Sequence, residues 1–137
     1  MTPVRNLSNN YTNGLFKSAA CFNVLAGLPL LVAMGPVAEL MGLEITPTSA
    51  LFIHLTMTLV VMFGGGYWMI SVDPVRYRPY ILLGVLLKPV FVILIYGHWL
   101  AGSIPWPLPA LASVDILYAA LFWRYLSNTR FALANRI

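Results

Sequence analysis

The chain has 137 residues, of which 60% are hydrophobic and only 9% are charged. A soluble domain of this composition would lack the polar surface that water requires, so we predict an integral membrane protein. The formal net charge of +4 would favour nucleic-acid binding in a soluble protein, but the basic residues gather at one predicted membrane face, so we expect membrane lipids and no nucleic acid as partners.

Residues 1–16 form a polar, Asn-rich segment, which we assign as a cytoplasmic N-terminal tail. The first apolar run follows it and predicts a transmembrane helix over 17–38. Pro29 and Pro36 interrupt this run, and because proline has no amide hydrogen to donate, we expect a kink or an early end. We do not expect a cleaved signal peptide, since the run starts late and ends without a convincing small-residue cleavage site.

Three further apolar runs predict helices over 49–70, 80–100 and 108–126. The segment 46–49, with the sequence T-P-T-S, is typical of a helix start. Each run is close to the roughly 20 residues that cross a bilayer, and the connections are short. We therefore predict an all-α fold, an integral membrane four-helix bundle over 17–126, with a cytoplasmic C-terminal tail over 127–137.

The charged residues follow a pattern that predicts the topology. All basic residues except Lys88 lie in the terminal segments, at the helix ends beside them, or in the second connection: Arg5, Lys17, Arg76, Arg78, Arg124, Arg130 and Arg136. The first connection carries only Glu39 and Glu44. By the positive-inside rule, both termini are cytoplasmic in a multi-pass protein of the bacterial inner membrane. Aromatic residues flank the helices at both predicted interfaces, with Tyr67 and Trp68 on the cytoplasmic side.

Lys88 and Asp115 are the only formal charges deep inside predicted helices. An unpaired charge at bilayer depth costs at least about 2.5–3.5 kcal/mol, so each should have a partner. Lys88 lies about 12 Å from the cytoplasmic end of its helix and Asp115 about 16 Å from the same face, so we predict that they meet. The pair is either a packing element, with Lys88 snorkelling or bonding the carbonyl freed by Pro89, or a site that binds a ligand headgroup or relays protons. Pairing with another subunit is a third possibility.

Small or polar residues form a stripe on each predicted helix. Gly84 lies one turn before Lys88, Ala112 and Ala119 flank Asp115, and Asn23 reaches a similar depth. In the second predicted helix, His54 and Thr58 share a face with Gly65. The candidate ligand-binding or buried polar residues are Lys88, Asp115, Asn23, His54 and Thr58. The candidates for close helix packing are Gly64, Gly65, Gly66 and Gly84, with a hinge or ligand contact as the alternative for the glycine run.

His54 and His98 both fall in the outer third of the predicted bundle and raise the question of haem. A bis-histidine site would require both side chains at one depth, and no haem motif accompanies them. Zinc would require acidic or thiol partners that the sequence does not place at that depth. We therefore expect no cofactor and no metal site.

The sequence F-G-G-G-Y at 63–67, D-P-V-R at 73–76, and then Gly84 and Lys88 resemble a pattern in small uncharacterised four-helix bacterial inner-membrane proteins, loosely DoxX-like. The resemblance covers less than half of the chain. It implies a compact four-helix bundle in the bacterial inner membrane, and such families are sometimes tied to respiratory partners. It implies no catalytic residue.

The sequence carries no nucleophile, metal or phosphate motif, which favours a protein that is not an enzyme. We expect either a subunit of a larger membrane complex, with other membrane subunits or copies of itself, or a protein that binds a lipid-like ligand. One alternative is a homo-oligomeric transporter for small solutes or coupled to protons, with Lys88, Asp115 and His54 on the path. The other is a membrane redox or lipid-modifying enzyme subunit that uses the same residues on a quinone or a lipid.

Overall fold

The structure, a computed structural model, describes the backbone of residues 3–134 and the side chains of residues 10–129. Within this part the regular structure is entirely helical, which confirms the predicted all-α class. The helices are α1 (Pro3–Val32), α2 (Met34–Met41), α3 (Pro47–Val72), α4 (Arg78–Leu100) and α5 (Pro107–Ala134). The side chains of Arg5, Arg130 and Arg136, which contribute to the predicted topology, lie outside the described residues.

Among the described residues, three helical stretches are long and apolar enough to span a membrane: Asn10–Val32, Pro47–Val72 and Arg78–Leu100. They correspond to the first three predicted spans and support the prediction of a membrane protein. The fourth predicted span, 108–126, lies within α5, which is not among the three and which carries Asp115 and Arg124.

The terminal segments differ from the sequence expectation, because both contain helix. The polar segment 1–16, for which no fold was expected, enters α1 at Pro3, and proline is well tolerated in the first turn of a helix. Leu15 and Phe16 are buried in the core, so tertiary packing stabilises helix that the local composition does not favour. At the other end α5 continues past 126 as far as Ala134.

The predicted early end of the first helix is confirmed. α1 contains Pro29 but stops at Val32, and α2 starts two residues later. Because Pro36 has no amide hydrogen, the carbonyl of Val32 has no helical partner there. The short α2 ends at Met41 and is capped by Gly42, whose φ of 70° is a conformation that glycine adopts without strain.

The start of α3 is fixed by a reciprocal pair of side-chain bonds. The amide of Ser49 donates to the Thr46 hydroxyl at 3.1 Å, and the amide of Thr46 donates to the Ser49 hydroxyl at 2.8 Å. Pro47 occupies the first turn, where its missing amide hydrogen costs nothing. The predicted helix start at 46–49 is therefore confirmed.

The helices pack chiefly as two pairs, α1 with α3 and α4 with α5. In the first pair, the side-chain amide of Asn23 donates to the Val60 carbonyl at 3.1 Å. In the second pair, the Arg78 guanidinium donates to the Thr129 hydroxyl at 2.8 Å. Each bond links the two helices of its pair at one level.

The hydrophobic core lies where α4 begins and α3 ends, against the middle of α1 and the second half of α5, and we call this region the packed half. Its members include Phe16, Ile70, Ile81 and Phe122, each fully buried. The ring centroids of Phe16 and Phe122 are 5.0 Å apart. Tyr67 joins this core with only 2% of its surface exposed, so its side chain packs inside the bundle and does not face a surrounding membrane.

Candidate functional site

The other half of the bundle holds a cavity of about 300 Å³ between the α1/α3 pair and the α4/α5 pair. It begins at Tyr67, where the packed half ends, and Met41 of α2 also lines it. Most of the lining is apolar and includes Phe22, Leu30, Phe63, Phe91, Ile95 and Leu108. The polar lining residues are Asn23, Thr56, Tyr67, Lys88 and Asp115.

Lys88 of α4 and Asp115 of α5 form an ion pair at the cavity. Their side chains are only 6% and 14% exposed. The pairing predicted from their depths is thus present in the structure. Gly84 lies about one turn before Lys88, and Ala112 lies about one turn before Asp115. Both small residues are buried, which allows α4 and α5 to approach closely at this level.

Two tyrosine rings surround the Lys88 ammonium. Its Nζ lies 5.3 Å from the ring centroid of Tyr67 and 5.7 Å from that of Tyr118. An ammonium within about 6 Å of a ring face is attracted by the ring quadrupole. Asp115 and the two rings together stabilise a charge that would be costly to bury alone.

Sequence reasoning missed both tyrosines as site residues. Tyr118 lies three residues after Asp115 and therefore on the same face of α5, a signal that could have identified it. Tyr67 was assigned to the membrane interface because it lies close to the end of its helix. Its contact with Lys88 depends on how α3 is rotated against α4, which the sequence does not reveal.

Asn23 is buried, as predicted, with 6% of its surface exposed. Its amide group bonds the Val60 carbonyl in the middle of α3. Because Asn23 also lines the cavity, this bond joins α1 to α3 beside the ion pair. Asn23, Lys88 and Asp115 are thus brought to one cavity.

His54 and Thr58 are exposed, and neither lines the cavity. Their predicted place in a polar interior is therefore wrong. The inward face of α3 instead carries Thr56, Phe63 and Tyr67. This face of α3 turns inward because its large rings fill the space against α4 and α5. Thr58 can remain at the outer surface, since a threonine hydroxyl can bond a carbonyl of its own helix.

The four candidate glycines divide into two kinds. A Cβ placed on Gly64 would lie 3.1 Å from the carbonyl oxygen of Ala20, and one placed on Gly84 would lie 2.9 Å from the Tyr67 hydroxyl. These two glycines permit close helix contacts. Gly65 and Gly66 have nothing within 4 Å of such a Cβ, so their predicted role in close packing is wrong.

The arrangement suits binding of a polar group in apolar surroundings. Among the described residues, no group of three or more His, Cys, Asp or Glu side chains is placed to hold a metal ion. His98 is exposed on the surface of α4 and does not line the cavity. The cavity therefore offers charge at the level of the ion pair, a few hydrogen-bonding groups, and apolar contact over most of its wall.

Three comparisons with known proteins gave no match: no protein-family model, no curated protein and no solved structure is similar to the chain. The resemblance to DoxX-like proteins thus stays a prediction that rests on the sequence motifs.

Proposed function

We propose that this is a multi-pass inner-membrane protein whose interior cavity binds a lipid-like ligand. In this proposal α1, α3, α4 and α5 form a four-helix transmembrane bundle with both termini in the cytoplasm. The observation that carries the proposal is the apolar cavity of about 300 Å³ with Lys88 and Asp115 on its wall. An apolar pocket with a few polar groups is the usual form of a small-molecule site.

The cavity is apolar enough to attract a hydrocarbon chain, and its two charged groups and the Tyr67 side chain are gathered near one end. Lys88, Asp115 and Tyr67 lie at the boundary with the packed half, while Leu30 and Leu108 lie further along the same space. A molecule with one polar end and one apolar end matches this distribution. A purely structural ion pair would not require an open space beside it, because interiors pack with few voids.

Several lining side chains are also exposed at the outer surface of the bundle. Leu59 of α3 is 58% exposed, and Leu87 of α4 and Leu111 of α5 are each 40% exposed. In a membrane these side chains would face the hydrocarbon. A ligand dissolved in the bilayer would therefore reach the cavity from the side, without crossing water.

Filling the cavity tests the proposal. Ala26 lines the cavity, and in Ala26→Phe the added ring would occupy space that a ligand needs. We expect the lipid extracted from the purified protein, measured by mass spectrometry per mole of chain, to fall by about tenfold, equivalent to about 1.4 kcal/mol of binding free energy. Because the ring fills a void, the thermal midpoint in detergent should stay the same or rise.

The matched control is Ala120→Phe, since Ala120 is exposed on α5 and does not line the cavity. This variant should retain the extracted lipid of the unaltered protein. Equal lipid content in all three proteins would refute the cavity as a ligand site. Stoichiometric copurification of another membrane subunit, combined with that result, would favour a structural subunit of a larger complex.

The proposed topology has its own test. Reporter fusions after Ile137 and near Glu44 should report opposite sides of the membrane, because the basic residues flank the cytoplasmic ends of the proposed helices. We expect a cytoplasmic reporter to be active at Ile137 and a periplasmic reporter to be active near Glu44. Periplasmic activity at Ile137 would contradict the proposed orientation.

A further inference from the structure

The cavity has no net charge. Lys88 and Asp115 neutralise each other, and no other charged side chain among the described residues lines the space. An anionic headgroup would bring a second negative charge to one lysine, and a cationic headgroup would bring a second positive charge to one aspartate. Either would leave an uncompensated charge at bilayer depth, which is strongly unfavourable. The cavity therefore favours an uncharged ligand.

The Tyr67 hydroxyl is a polar group without a hydrogen-bond partner among the described residues. Tyr67 is 98% buried, since only 2% of its surface is exposed, and it lines the cavity. Every fully buried polar side-chain atom in the described part of the chain has a hydrogen bond, so the Tyr67 oxygen must retain some accessible surface. An unpaired hydroxyl in an apolar site gains stability when an oxygen atom enters within hydrogen-bond distance.

The position of this hydroxyl places it beside the ion pair. It lies against Gly84, one turn before Lys88 on α4, and the Lys88 Nζ is over the Tyr67 ring. The hydroxyl thus lies within about one turn of α4 from the ion pair. A carbonyl or hydroxyl oxygen accepts a hydrogen bond without requiring a charge of its own.

The volume limits the size of the ligand. About 300 Å³ is at the small end of the range of roughly 300–1,000 Å³ for ligand pockets. A cavity at this end of the range suits one hydrocarbon chain or one ring system. A phospholipid with two acyl chains and a charged headgroup does not match this space.

We infer that the cavity takes an uncharged, single-chain lipid whose carbonyl or hydroxyl oxygen hydrogen-bonds to Tyr67 beside the Lys88–Asp115 pair. This inference rests on the proposed function, because it specifies the ligand class of the same cavity. Ketone-type and alcohol-type lipids share the required chemistry, and the test separates them.

The test is a series of probes with matched chains added to the purified full chain in detergent. The probes are methyl octyl ketone, decyl alcohol, decane, decanesulfonate and decyltrimethylammonium. The mole fraction of each probe in the micelle is raised stepwise, and native mass spectrometry measures the fraction of protein that carries the probe. The quantity compared is the mole fraction at half occupancy. We expect the ketone or the alcohol, or both, to reach half occupancy at a mole fraction about three- to tenfold lower than decane, the range that one hydrogen bond provides. The two charged probes should bind more weakly than decane.

Tyr67→Phe then removes only the hydroxyl. In this variant the ketone and the alcohol should bind no better than decane, while the binding of decane itself is unchanged, which also shows that the cavity is intact. The control is Tyr125→Phe, because Tyr125 lies in the packed half and does not line the cavity. It should keep the preference of the unaltered protein for the oxygen-bearing probes.

The outcomes distinguish this inference from the proposed function. Tightest binding of decanesulfonate or decyltrimethylammonium would overturn the inference and leave the cavity as a ligand site. A preference for the ketone or alcohol that survives Tyr67→Phe would overturn the role of the hydroxyl. If no probe binds, decane included, both the proposed function and the inference fail.

Discussion

Asp115→Asn or Lys88→Met alone is expected to lower the free energy of unfolding by about 3–5 kcal/mol. Both side chains are largely buried and bond each other, so each single change leaves one charge without its partner. The Tyr67 and Tyr118 rings give Lys88 a second source of stabilisation, but each is worth only about 0.5–2 kcal/mol. Thermal and denaturant unfolding in detergent would measure the loss. Glu39→Gln is the control, because Glu39 is exposed and its loss should change stability by no more than about 0.5 kcal/mol.

The double variant Lys88→Met/Asp115→Asn should recover much of this loss, because neither charge is then stranded. We expect a coupling free energy of about 2–3 kcal/mol in the double-mutant cycle. Strictly additive losses would mean that the two side chains do not stabilise each other in the membrane protein.

The double variant also separates the two roles that the sequence leaves open for the pair. If stability recovers but the extracted lipid does not, the pair contributes to ligand binding. If both recover, the pair is a packing element and the ligand is held by the remaining cavity wall. The lipid content of the Ala26→Phe variant provides the reference for a cavity that cannot bind.

Gly64→Leu is expected to lower the free energy of unfolding by about 3 kcal/mol, because overpacked interfaces must shift backbone as well as side chains. A Cβ at this position would lie 3.1 Å from the Ala20 carbonyl oxygen and 3.3 Å from the Asn23 Cβ. The leucine would thus force α1 away from α3 and strain the bond between Asn23 and Val60. The loss would be measured by the same unfolding experiments.

Gly65→Leu provides a matched control one residue away. Nothing lies within 4 Å of a Cβ placed on Gly65, and this residue is exposed. Because leucine favours helix over glycine by up to about 1 kcal/mol, this variant should be as stable as the unaltered protein or more stable. Equal losses in the two variants would contradict the close contact of α1 with α3 at Gly64.

Local sequence features were sufficient for α3, α4, the end of α1 and the ion pair. The apolar runs predicted the bounds of α3 and α4 to within two residues at each end, and Pro36 predicted the end of α1. These features act within one segment, since a long apolar run must be helical in hydrocarbon and a proline ends a helix wherever it folds. The pairing of Lys88 with Asp115 was predictable for a related reason: a buried charge requires a partner, and the chain offers only one at that depth.

Only the tertiary structure decided which faces of the helices turn inward. The outward face of α3 carries Leu55, Leu59 and Met62, which are as apolar as the inward residues Phe63 and Ile70. In a membrane the surroundings of a bundle are as apolar as its interior, so hydrophobic periodicity does not identify the buried face. The rotation of α3 is set instead by how its large rings fit against α4 and α5. That fit buries Tyr67, leaves His54 at the surface, selects Gly64 over Gly65 for helix contact, and opens the cavity beside the ion pair.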